Sequence, residues 1–182
     1  MPPAYFCREC LLPIAQRKQT IRMTFNQFIQ KFPEEKLPIS LTEDSASAFS
    51  LENEPLSQKA IEDFILPMEE DADELTEFVP CFRLPDMKDL HAILYWKAGL
   101  LSYQYVLATF EKNGKLIDRQ VIAGTVSDGR SIVRTVARID EDKTIYMVSG
   151  MAEGSLEEEY DASQSTAKEL ELLPDGRMVE LG

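Results

Sequence analysis

Cysteine and histidine are scarce in this chain, with three thiols and one imidazole among 182 residues. So few thiols do not make a disulfide framework, which agrees with a reducing compartment. No apolar run approaches the roughly 18 residues that a membrane span needs. The opening residues, Met1-Pro2-Pro3-Ala4-Tyr5-Phe6, lack the basic and long apolar stretches of a secretory signal. The expected location is therefore the cytoplasm, with no membrane attachment. Phosphate-cradling motifs are missing too, because Gly99, Gly114, Gly124 and Gly129 stand as isolated turn residues. No serine lies in a Gly-x-Ser-x-Gly elbow, and a single histidine leaves one possible base with no evident nucleophile. No catalytic residue and no cofactor are expected.

Charge is abundant but unevenly spread. The net charge is −13, with +3 over residues 1–22, −11 over 23–80, +2 over 81–150 and −7 over 151–182. An acidic chain repels phosphate backbones at long range, so nucleic acid is not an expected partner. Solubility alone accounts for much of the excess.

Residues 1–22 differ from the rest in charge and pattern and are read as an N-terminal extension. Residues 23–182 then form one α+β domain, with a helical, acidic cover over 23–80 and a β-meander over 81–182. The segment starting Met23-Thr24-Phe25 reads like a fresh protein start. Thr24 and Gln27 have the spacing of a capping box. Phe25, Phe28, Ile29 and Phe32 follow on one helical face, and Pro33 ends the helix. Pro38 to Leu51 reads as an extended acidic loop. Ser57 caps a second helix over 58–66, with Ile61, Phe64 and Ile65 on one face and Pro67 as its stop. The run Glu69 to Glu74 carries so many like charges that it is expected in solvent.

From Cys81 onward the apolar period changes from 3.6 to 2. Strands are expected at 92–97, 102–110, 115–122, 131–139, 144–149, 168–173 and 177–181. Asn113-Gly114 marks a hairpin, and the other turns are close enough to pair each strand with its sequence neighbour. The expected fold is α+β: an antiparallel meander of five to seven strands covered by two short N-terminal helices.

The Phe-x-x-Phe-Ile-x-x-Phe-Pro helix with Leu37-Pro38 after it, and the later stretch Thr109-Phe110-x-Lys112-Asn113-Gly114-Lys115-Leu116-Ile117-Asp118, resemble small uncharacterised proteins of Bacteroidota-type bacteria. The resemblance covers about residues 23–150 and is carried by structural motifs. It implies a bacterial, cytoplasmic protein and carries over no functional residue.

Cys7-Arg8-Glu9-Cys10 is the sharpest local pattern. Two thiolates at this spacing can chelate zinc, and Cys81 with His91 would complete a four-ligand set. The plainer reading is two ordinary thiols in the extension. His91 can serve as a general base or stand as a surface residue where a strand begins. The carboxylates Glu153, Glu157, Glu158, Glu159 and Asp161 can bind a hard cation, but lack EF-hand spacing and read equally as a solvated loop.

One surface remains. Alternation along 131–139 puts Ile132, Arg134, Val136 and Arg138 on one face. Neighbouring strands offer Tyr103, Tyr105 and Tyr146. Arginine and tyrosine give large contact area and directional donors, the composition of interface hot spots. The expected function is a non-enzymatic protein-binding or interaction module, with Arg134, Arg138, Tyr103, Tyr105 and Tyr146 facing an acidic or aromatic partner. The alternatives are a small-ligand binder or enzyme with a site between helices and sheet, and a structural zinc protein.

Overall fold

A computed structural model describes residues 23–153 and 165–181. The chain begins with helix α1, Phe25–Ile29, closed by the expected capping box: Gln27 N donates to Thr24 Oγ1 at 3.3 Å, and Thr24 N donates to Gln27 Oε1 at 2.8 Å. Its aromatic face is buried through Phe28, Ile29 and Phe32. Strand β1, Ile39–Leu41, and helix α2, Ser45–Glu52, occupy the stretch expected as an extended loop. That reading fails because Ser-Ala-Ser-Ala-Phe-Ser carries no apolar stripe. The helix holds on through Ala46, which is buried, and through Phe49, whose ring lies 5.7 Å from that of Phe82. Ser57 caps the next helix as expected, accepting from Ala60 N at 3.2 Å. This helix, α3 at Gln58–Ala60, runs on as a π-helical turn over Ile61–Ile65 and a 3-10 turn over Leu66–Met68.

Antiparallel strands make up most of the protein. β2 (Glu77–Arg83), β3 (Leu90–Ala98), β4 (Ser102–Glu111), β5 (Leu116–Ser127), β6 (Ser131–Ile139), β7 (Thr144–Glu153), β8 (Thr166–Leu172) and β9 (Met178–Leu181) pair in sequence order. β1 adds to β6, with Leu41 opposite Ala137. The meander is therefore as expected, but it has nine strands rather than five to seven. β2 was hidden by Pro80, which sits on an outermost strand at a register shift, where a missing N–H costs little. Gly114 closes the β4–β5 hairpin with φ +93°, as the Asn-Gly signal requires.

The sheet separates two apolar layers. On one side α1 and the 58–68 helical segment pack Phe28, Phe32, Ala60 and Ile65 onto Ile93, Tyr95, Val106 and Ala108. On the other side lie Phe82, Leu94, Leu107, Ile122, Ile139, Ile145 and Leu170, joined by Leu41 and Ala46. Helices thus touch both faces, and α2, absent from the expected pair of helices, joins the second layer. The sheet rolls to enclose that layer. β5 is the pivot: β4 pairs along its length, whereas β6 pairs with residues 124–127. The first half of β5 meets the β8–β9 turn instead. Asp118 Oδ2 accepts from Met178 N at 2.7 Å, and Thr109 Oγ1 donates to Gly176 O at 2.6 Å.

Candidate binding surface and a buried charge cluster

The rolled sheet brings three of the expected surface residues together. Tyr103 lies opposite Thr125 across β4 and β5, and Thr125 lies opposite Arg134 across β5 and β6. One row to the side, Trp96 faces Tyr105 across β3 and β4. Trp96 and Tyr103 stack with planes 4° apart and centroids separated by 5.9 Å. A cavity of about 280 Å³ opens beside them, lined by Glu43, Trp96, Tyr103, Tyr105, Gly124 and Thr125. Glu43 Oε1 accepts from Thr125 Oγ1 at 2.6 Å and lies 3.3 Å from Arg134 Nε. That contact ties the arginine to the cavity rim.

Gly124 makes this geometry possible. Its φ is +141°, and a Cβ there would lie 2.0 Å from the carbonyl oxygen of Tyr103. No other residue fits without moving β4 away. Two residues before it, β5 carries an irregularity opposite Tyr105 and Val106 that buries both Ile122 and Ala123. The strand bends there, which opens the cavity between the aromatic rows.

Tyr105 is a correction to the expected surface. It is 2% exposed, and its hydroxyl donates to Thr42 O at 2.9 Å, so it floors the cavity rather than meeting a partner directly. Burial raises its pKa. Arg138 and Tyr146 lie elsewhere, opposite each other across β6 and β7 and half exposed. Arg138 Nε is 2.8 Å from Asp140 Oδ1. Four residues of strand, about 13 Å, separate Arg138 from Arg134.

The expected zinc set does not assemble. Cys81 is fully buried in the layer with Phe82 and Leu94, and burial pushes its thiol pKa up. His91 sits under α1, with its ring 5.9 Å from that of Phe25, on the opposite side of the sheet. Cys7 and Cys10 lie outside the described residues, as do Glu157, Glu158, Glu159 and Asp161. Among the described residues no group of three or more metal-ligating side chains forms.

A second cluster went unseen in the sequence. Glu69, expected in solvent with its acidic neighbours, is buried against the sheet with its side chain 0% exposed. Its carboxylate accepts from the Tyr95 hydroxyl, from Lys97 Nζ at 2.7 Å, and from Arg119 Nε and Nη2 at 2.9 and 2.6 Å. Lys97 Nζ also reaches Asp71 Oδ1 at 2.5 Å. The expectation fails because two cations and a phenol converge from β3 and β5 on one carboxylate. Their charges offset the cost of desolvation, and each buried polar atom finds a partner. Hydrogen bonding to Lys97 lowers the pKa of Asp71. Burial first, and then hydrogen bonding to Glu69, raises that of Tyr95. A groove of about 590 Å³, lined by Pro67, Met68, Asp71, Gln104, Arg119 and Val121, runs along the outside. The available signal was Lys97 itself, a lone cation in the apolar strand Ala92-Ile93-Leu94-Tyr95-Trp96-Lys97-Ala98. A charge there demands a buried counter-charge.

Comparison with protein-family profiles, with curated proteins and with solved structures finds no match to this chain. No described helix is long and apolar enough to cross a membrane. The site's own chemistry is therefore the guide to function.

Proposed function

We propose that the chain is a non-enzymatic protein-binding module whose partner docks at the Trp96–Tyr103 cavity. The observation that carries this reading is the convergence of Trp96, Tyr103 and Arg134, the three residue types that dominate interface energetics, around one apolar concavity. The stacked rings offer a rigid wall of large area at small entropic cost. Arg134 is half exposed and held through Nε, so its terminal nitrogens remain to receive a carboxylate. Leu100 and Leu101, both exposed in the β3–β4 turn, add apolar surface next to Tyr103 in the chain. The fitting partner inserts an aromatic or aliphatic side chain into the cavity and sets an acidic group against Arg134. The low thiol content and the bacterial resemblance support a bacterial cytoplasmic setting.

Affinity capture from source-cell lysate, read by mass spectrometry, tests the proposal. One stoichiometric partner is expected with the wild type and its loss with Trp96→Ala or Arg134→Ala. Capture that both variants leave unchanged refutes it.

The groove beside Arg119 supports a second reading, a small-ligand binder at the junction of helices and sheet. The Glu69 cluster weighs against it, since its donors are already committed to one another. Thermal-shift screening of metabolites decides: a ligand whose shift vanishes in Arg119→Lys would establish this reading over the first.

A further inference from the structure

The outer face of β6–β9 carries a charge pattern that complements itself. Alternation sends Ala137, Ile139, Ile145, Leu170 and Leu172 into the core. The residues between them, Val136, Tyr146, Val148, Val179 and Leu181, are each 40–45% exposed. Register fixes their order. One row across the sheet reads Arg138, Tyr146, Glu169, Leu181, and the next reads Val136, Val148, Ala167. Arg138 and Glu169 therefore flank Tyr146 at equal distance on opposite sides, one strand spacing of about 4.8 Å each way. Among the described residues the Glu169 carboxylate has no hydrogen-bond or ion-pair partner.

We propose that the chain forms a two-fold homodimer through this face, with the axis running along β7. A rotation about that line exchanges the β6 and β8 sides, so the same patch serves both copies. Arg138 of each copy then meets Glu169 of the other, Tyr146 meets Tyr146, Val148 meets Val148, and Val136 meets Ala167. The Nε of Arg138 keeps Asp140 at 2.8 Å, while its terminal nitrogens turn to the facing carboxylate. The overlay also brings Asp140 toward Glu171 of the second copy, a like-charge contact at the margin that limits affinity. Four strands span about 14 Å, which places the interface at the small end of specific contacts and the dissociation constant in the micromolar range. This inference does not rest on the Trp96 cavity, whose aromatic residues Trp96, Tyr103 and Tyr105 lie on β3 and β4, outside the face formed by β6–β9.

Sedimentation velocity of the full chain from about 1 to 100 μM tests it, a range that brackets a micromolar constant. A concentration-dependent shift from monomer to dimer is expected. Val148→Lys places two like charges on the axis and is expected to hold the chain monomeric throughout. Arg138→Glu and Glu169→Arg are each expected to be monomeric alone and to associate when mixed, because each then supplies the charge that the other lost. Circular dichroism confirms that each variant is folded. A wild type that stays monomeric at the highest concentration overturns the proposal. So does a Val148→Lys dimer, or a mixture that fails to associate.

Discussion

Strands β3 and β4 are covered on both faces, whereas β6, β7 and β8 are covered on one. The sequence carries that difference openly. Ala92-Ile93-Leu94-Tyr95-Trp96 and Tyr105-Val106-Leu107-Ala108 are nearly continuous apolar runs, as doubly buried strands require. Val133-Arg134-Thr135-Val136-Ala137-Arg138-Ile139 alternates, as a half-solvated strand does. The lesson extends to charge. In the doubly covered region a cation survives only inside a closed network, as Lys97 does with Glu69. In the singly covered region cations such as Arg138 remain available. Closed charge networks thus sit in one half of the sheet and half-exposed cations in the other.

Three substitutions sharpen that contrast. The largest effect is expected from Glu69→Ala, which leaves Lys97 and Arg119 facing each other without the buried carboxylate. A loss of about 3–5 kcal/mol is expected from urea unfolding, the range for breaking a buried pair. A loss below about 1 kcal/mol would mean that water already reaches the cluster. An intermediate effect is expected from pH. His91 lies in the doubly covered half, and burial, followed by Lys112 and Arg83, lowers its pKa. Its unfolded reference is about 6.5, so its contribution is complete above that pH. That contribution is lost as pH falls from there through the lowered folded value. Urea midpoints of the wild type should therefore drop below pH 6.5 more steeply than those of His91→Gln; parallel curves would remove the effect. The smallest effect is expected from Lys168→Met. Lys168 and Glu180 form an ion pair at 3.1 Å with both side chains more than half exposed. The change in stability is expected within about 0.5 kcal/mol. A larger loss would show that surface charge also supports the open half.

Much of this architecture is legible from local signals. The capping box at Thr24, the Asn113-Gly114 turn and the alternation along β6 each depend on neighbours within a few residues. What escaped depends on distant ones. α2 lacks an apolar period and is held by Phe82, far along the chain. Pro80 mimics a loop residue, and its tolerance depends on β2 being outermost. Glu69 is buried by Tyr95, Lys97 and Arg119, which lie 26, 28 and 50 residues away. The candidate surface was half legible: Tyr103, Tyr105 and Arg134 come together at one cavity, whereas Arg138 and Tyr146 lie apart from it. The β5 bend at Gly124 and the buried role of Tyr105 came only with the rolled sheet. Trp96 was passed over because its strand reads as core.

The outermost strands of the path have a further consequence. β2 is shielded by the segment after α1: Arg83 N donates to Pro33 O at 2.8 Å, Glu35 N donates to Arg83 O at 3.3 Å, and Pro80 has no N–H to offer. β9 is four residues long and carries Glu180. Neither rim presents a long, flat row of open amides, so neither can template the ladder growth that converts β-rich chains into fibrils. Protection of both rims leaves the proposed β6–β9 face as the surface through which a crowded solution of this protein is expected to associate.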